Sequence, residues 1–250
     1  MSRNRMAQWL AAAVVGFAAS AAKADIVTFV TPTGSTSTGG DPINASATFT
    51  TSGGTLKIVL TDLQGNPKDV GQLLSDLSFT LGHGGTLTGA AQTGASSQEL
   101  TVNGGGTFSV GANLTTAAAV GWVFTTSSTT TGLLDVLQGP GHAGPTHLII
   151  GPPGGPTYSN ANGSIAGNPA HNPFLNQSAT FTITGPGIDD GTTVTAATFS
   201  FGTTEGASLV PGTLSTTPVP APPALVLGLV GAVGLFGKRA WARRRTPELA

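Results

Sequence analysis

The sequence predicts an all-β protein: an antiparallel β-sandwich or jelly-roll-like ectodomain, with an N-terminal signal helix before it and a single C-terminal transmembrane helix after it. Three observations carry the fold class. Short apolar segments alternate with period two and are punctuated by Gly, Pro, Asn and Asp. Threonine, which favours strands, recurs throughout. Helical periodicity is missing from the central region, apart from a turn or two expected at residues 69–77.

Composition supports a packed domain. Only 8% of the 250 residues are charged and 37 are glycine, but 39% are hydrophobic. A disordered chain combines low hydrophobicity with high charge, which this one does not. Charge is strongly segregated. Between residues 25 and 220 the only bases are Lys57 and Lys68, against ten carboxylates, a balance of −8. Duplex binding needs a cationic face that releases counterions, so nucleic acid is excluded as a partner. The chain has no cysteine. Disulfides, thiolate metal sites and cysteine catalysis are therefore absent, and the exported domain must be held by packing alone.

Taken in order, residues 1–24 read as a secretory signal. Arg3 and Arg5 form the charged start, Leu10 to Ala19 the short apolar core, and Ala22-Lys23-Ala24 an A-x-A-like site that would leave Asp25 as the mature N-terminus. Residues 25–212 form the exported domain, with roughly eight to eleven short strands expected. In NASATFTTSGGTLKIVLTDL, Ala45, Ala47 and Phe49 alternate, Ser52-Gly53-Gly54 turns, and Leu56, Ile58 and Leu60 alternate again, which predicts a hairpin with one buried face. The same period places Ala179, Phe181 and Ile183 on one face, and Ala197, Phe199 and Phe201 on another. AAVGWVFTT and THLIIGP supply two further candidate strands, with Trp122 as a core anchor. The Gly- and Pro-rich stretch over residues 138–174 is a long loop around the second of these, and long loops are where a binding face is expected.

Residues 213–223 form a Pro-rich, extended linker. The uncharged residues 224–237 would span about 21 Å as a helix, short of the roughly 30 Å hydrocarbon core. The flanks extend it. Lys238 and Arg239 can snorkel, Trp241 suits the interface, and Ala240 and Ala242 add apolar length, so residues 224–242 are assigned as a transmembrane helix anchored in the lipid bilayer. Residues 243–250 follow as a basic tail, in which Arg243, Arg244 and Arg245 stay cytoplasmic under the positive-inside rule.

This succession of Val219-Pro220-Ala221-Pro222, apolar helix and arginine cluster, together with an N-terminal signal, resembles the PEP-CTERM sorting signal. Members of that group carry Val-Pro-Glu-Pro; here Ala221 takes the place of the glutamate. The resemblance covers roughly the last 30 residues. It implies export, inner-membrane anchoring with the domain outward, recognition by an exosortase-like processing enzyme, and release to the cell surface after cleavage near Pro220. By analogy it also implies association with extracellular polysaccharide. Plain tail anchoring without processing is the alternative.

No residues are assigned to catalysis and no cofactor is expected. The chain has no G-x-S-x-G elbow, S-x-x-K pair or H-E-x-x-H motif. Gly139 to Gly144, GPGHAG, matches G-x-G-x-x-G but leads into Pro145 and a β-like segment, so these are loop glycines. His142 and His147 lack a nearby carboxylate in sequence to complete a ligand set, and no metal site is assigned to them. Asp189-Asp190-Gly191 reads as a turn between strands rather than a calcium loop. The expected function is that of a non-enzymatic surface or matrix protein. The alternative is a carbohydrate-binding or carbohydrate-active domain, for which Tyr158 is the one loop aromatic with a polar handle.

Overall fold

The computed structural model describes residues 24–215. The signal segment ahead of Ala24 and the sorting, membrane and basic segments from residue 216 onward lie outside the described residues. Within them the protein is all-β, and no helix is long and apolar enough to cross a membrane.

The hairpin forms where the alternation places it. Strand β1 (Asp25–Val30) pairs with β2 (Ala45–Ser52), which turns through Gly53-Gly54 into β3 (Thr55–Asp62). Both turn glycines have positive φ, +56° and +80°, the left-handed pair that a two-residue hairpin needs to match strand twist. The register sets Phe49 opposite Ile58 and Ala47 opposite Leu60, so one face of the hairpin is wholly buried. The chain then crosses to β4 (Leu74–Gly82), and β5 (Ala91–Val102) and β6 (Phe108–Leu114) follow. After β7 (Val123–Thr126) and β8 (Thr131–Asp135) comes the long loop with β9 (Ile149–Ile150). The last long strands are β10 (Phe174–Thr184) and β11 (Thr193–Phe201), followed by the two-residue β12 (Val210–Pro211).

The pairings make two antiparallel ladders. One runs β1-β2-β3-β10-β5-β6 and the other β12-β11-β4-β8-β7. Strand β9 joins them: Ile149 pairs antiparallel with Leu74 of β4 and parallel with Leu175 of β10, which makes the connected sheet mixed. The expectation of purely antiparallel pairing is corrected at this one point. A loop that enters between two ladders can lend its backbone to both, and Ile149 and Ile150, both fully buried, do so. The ladders meet through aromatic rings. Phe49 of β2 lies 5.5 Å from Phe79 of β4, which stacks on Phe124 of β7 at 6.2 Å. Trp122 lies 5.4 Å from Phe181 of β10 and donates its indole N–H to the His147 carbonyl at 2.9 Å. Trp122 is the core anchor that the sequence indicates.

Two local readings change. Residues 69–77 hold a single 3-10 turn, Val70–Gln72, capped by the Asp69 carboxylate on the Gly71 N–H, before β4 begins. The first half of AAVGWVFTT is not strand but the helical turn α1 (Ala117–Val120). Three consecutive alanines favour helix, the Thr116 hydroxyl accepts from the Ala119 N–H, and Gly121 at φ +70° ends it.

Candidate functional site

The long loop, expected to present a binding face, is mostly folded inward on its own polar groups. Asn172 accepts the Val102 N–H at 2.7 Å and donates to the carbonyls of Ile165 and Asn168. The Asn162 N–H donates to the Lys68 carbonyl at 2.7 Å. Tyr158, the expected sugar platform, is 1% exposed: its hydroxyl donates to the Gly151 carbonyl at 2.9 Å and its ring meets Phe108 edge-on. It is a core residue and offers no face to a ligand. Burial pushes its phenol upward, and the charge of Asp62 adds to that.

The two histidines do not converge; each meets a single carboxylate, His142 that of Asp135 at the end of β8 and His147 that of Glu99 on β5. His142 Nε2 is 3.4 Å from Asp135 Oδ2, and His147 Nε2 is 3.4 Å from Glu99 Oε1. The His147 Nδ1 lies 2.9 Å from the Val120 carbonyl. A carbonyl only accepts, so Nδ1 must carry the proton there. These are anchoring contacts for the loop. Among the described residues no three His, Asp or Glu side chains are grouped to hold a metal ion. Asp189 and Asp190 form the expected turn between β10 and β11: Asp189 Oδ1 accepts from the Gly191 N–H and the Thr192 hydroxyl, and Asp190 Oδ1 accepts from the Gly53 N–H. Residues 139–144 are loop with no helix after them, in agreement with their reading as loop glycines.

Three carboxyls are buried that sequence reasoning did not single out. Asp62, fully buried at the end of β3, accepts the Gln64 N–H on Oδ1 at 2.9 Å, while its Oδ2 has no partner; burial drives its pKa well up, and the backbone N–H groups of Gln64, Leu74 and Gly151 offset that only in part. Asp76 of β4 is 3% exposed and pairs in register with Asp135 of β8. Burial pushes Asp76 up to about 6; Ser200 and the Gly206 N–H pull it down in part, while the charges of Asp135 and Glu205 add to the rise. Asp135 spends both oxygens locally, Oδ1 on the Leu137 N–H and Oδ2 on the Gln138 N–H and His142. A buried carboxyl with a raised pKa can mark an active site, but neither Asp62 nor Asp76 lines the main recess.

That recess is a groove of about 460 Å³ between the open edges of β5 and β7, walled by Ala91, Ala118 and Thr126 and floored by Trp122 and Phe124. Gln92 crosses it: its Oε1 accepts the Phe124 N–H at 3.0 Å, while its Nε2 is buried with no partner. No charged side chain lines the groove. It can hold an uncharged ligand against an aromatic ring and an amide donor, and it carries no acid, base or nucleophile positioned for chemistry.

Of the residues that the sequence assigns to processing, Ala24 is exposed and Asp25 opens β1, paired with Thr51. Ala22, the Val219-Pro220-Ala221-Pro222 motif and the bases Lys238, Arg239, Arg243, Arg244 and Arg245 lie outside the described residues. Compared with known proteins, the chain matches no family model, no curated protein and no solved structure.

Proposed function

We propose that this chain is an exported, non-catalytic surface or matrix protein whose β-sandwich domain is delivered by a cleaved N-terminal signal and a PEP-CTERM-like C-terminal tail. The observation that carries the reading is the start of the fold. Strand β1 begins at Asp25, the residue after the Ala22-Lys23-Ala24 pattern, so cleavage there frees a domain with its first strand whole. The two facing ladders support the sandwich class. In this reading the helix over residues 224–242 holds the protein in the inner membrane with the domain outward. An exosortase-like enzyme then acts at Val219-Pro220-Ala221-Pro222.

The test separates the parts of the tail. N-terminal sequencing of the envelope form is expected to begin at Asp25; intact Met1 to Lys23 on exported protein overturns the signal. Changing Val219 and Pro220 leaves helix and charges in place and is expected to trap a full-length membrane form. Neutralising Arg243, Arg244 and Arg245 removes about 1 kcal/mol of membrane attraction each and weakens retention instead. An epitope tag ahead of Pro218 reports both. A wild type that stays full length in its native membrane reduces the segment to a plain anchor.

A second reading, carbohydrate binding, is supported by the β5–β7 groove with the unpartnered Gln92 amide beside the half-buried Phe124 ring. Titration with neutral oligosaccharides tests it. Binding that Gln92→Ala and Phe124→Ala both abolish supports a sugar site, and heat-silent titrations dismiss it.

A further inference from the structure

Cleavage after Ala24 turns the Asp25 amide nitrogen into an α-amino group, which is protonated at neutral pH. The fold determines what that new charge meets. Asp25 pairs with Thr51 of β2, and the Thr31 N–H to Ala45 carbonyl bond further along the same ladder fixes the alternation, so the Asp25 nitrogen is directed at the Thr51 carbonyl. Beside it lies a hollow of about 200 Å³ lined by Ala24, Asp25, Asp190, Gly191 and Thr193.

Two carboxylates line this hollow and no base does. Of the two lysines among the described residues, Lys68 pairs with Asp41 and Lys57 stands on β3 opposite Thr50. Asp190 is held in place: its Oδ1 accepts the Gly53 N–H at 2.6 Å, and Asp189 Oδ1 closes the turn around it on the Gly191 N–H. The Thr51 hydroxyl donates to the Thr192 carbonyl at 2.7 Å, so the turn between β10 and β11 is tied to the end of β2 that carries the start of β1. The second oxygen of Asp190, Oδ2, accepts no hydrogen bond among the described residues.

We propose that the α-ammonium of Asp25, created by signal removal, pairs with Asp190, so that maturation of the chain fastens β1 to the turn before β11. An ammonium carries three hydrogens. One continues the bond to the Thr51 carbonyl, and the other two are available to the hollow. Loss of Ala24, which is exposed and lines the hollow, opens the approach to Asp190. At roughly 30 Å³ per water molecule the hollow holds only a handful, which brings an ammonium on one wall close to a carboxylate on another. The Asp25 carboxylate accompanies the ammonium in the unfolded chain as well, whereas Asp190 meets it only in the fold. Asp190 therefore carries the contribution to stability, and it does so at a chain terminus, which frays unless tied down. The proposal rests on cleavage after Ala24.

Residues 25–250, released from a fusion so that Asp25 comes first and purified in detergent, are compared with the same chain acetylated on its α-amine at about pH 6.5, where lysines stay protonated. Acetylation removes the charge and leaves an N–H for the Thr51 carbonyl. The free amine is expected to raise the folding equilibrium constant, measured in urea, about threefold, as an exposed ion pair does. It should give no gain in Asp190→Asn, which keeps an oxygen for the Gly53 N–H. No gain in the unchanged chain overturns the proposal. An equal gain in Asp190→Asn also overturns it, by assigning the effect to the acid surplus of the whole domain. If Asp190→Asn does not fold, a chain with Ser-Gly added ahead of Asp25 decides, because its amine sits about 7 Å further out: the gain should vanish there, and a gain that persists overturns the pairing. N-terminal sequencing of the envelope form keeps the two readings apart. A start other than Asp25 overturns the cleavage and the proposal with it, whereas a start at Asp25 in a chain whose free amine gives no gain overturns the pairing alone.

Discussion

Replacing Asp76 with asparagine should remove a pH dependence from the folding of this domain. The native carboxyl titrates at about 6, against 3.8 in the unfolded chain, because it is 3% exposed and faces Asp135. A raised carboxyl means that the folded state holds more protons than the unfolded state between these two values, so stability rises as pH falls through 6 and levels off near 4. The shift corresponds to about 3 kcal/mol, which the ionised group costs the folded state at pH 7. Asparagine is nearly isosteric, stays neutral, and keeps one acceptor oxygen. The assay is thermal unfolding of residues 25–215 at several pH values between 4 and 8, wild type against Asp76→Asn. Subtracting the two curves cancels every group common to both, including Asp62, whose burial acts in the same direction. The variant should be the more stable above pH 6 by up to about 3 kcal/mol, or roughly 6–12 °C in Tm for a domain of this size, and the gain should vanish near pH 4. Parallel curves, or a variant that loses stability at pH 7 and gains it in acid, would refute the reasoning.

Two other substitutions probe the packing. Tyr158→Phe removes the hydroxyl that donates to the buried Gly151 carbonyl and should cost about 1–3 kcal/mol in urea unfolding; a neutral result would mean that the loop reseats that carbonyl on another donor. Phe181→Ala opens a cavity under Trp122 and should cost about 3–5 kcal/mol, with a change in tryptophan fluorescence, since Trp122 is the only tryptophan between residues 25 and 215. A fragment of residues 25–215 should give a strand-type circular dichroism spectrum that chelator leaves unchanged; a chelator-sensitive spectrum would revive a calcium role for Asp189 and Asp190.

What the sequence made legible was local. Residues 45–62 could be read because the alternation and a Gly-Gly turn specify register without reference to anything distant. The same alternation, carried one step beyond Leu60, puts Asp62 on the buried face, so that carboxyl had a signal that a search for apolar residues passes over. Asp76 had none: it sits out of phase between Leu74 and Leu77, where the strand begins irregularly, and its burial comes from the segment around Glu205 and Gly206. The pairs His142–Asp135 and His147–Glu99, and the burial of Tyr158 within a polar loop, depend on how residues 138–173 return to the ladders. Contacts of that kind leave no period in the chain. The groove was illegible for the same reason, since β5 and β7 meet across it only after α1 has turned.

The placement of the buried carboxyls suggests what they do in a domain with no disulfide to fix its loops. Asp135 closes β8 and takes the two N–H groups, of Leu137 and Gln138, at which the long loop leaves the ladder. Asp62 closes β3 and takes the N–H of Gln64, the second residue beyond the strand. Both stand where the backbone departs from ladder pairing and would otherwise bury donors without acceptors. A carboxylate accepts several N–H groups at once, which no apolar residue of similar size can do. At neutral pH Asp62 opposes stability, because burial disfavours its charged form. What it supplies is the path of the chain. With Asp62 in place, the turn out of β3 is held by the Gln64 N–H, and that turn packs closely against Gly151, just after β9 pairs with both β4 and β10.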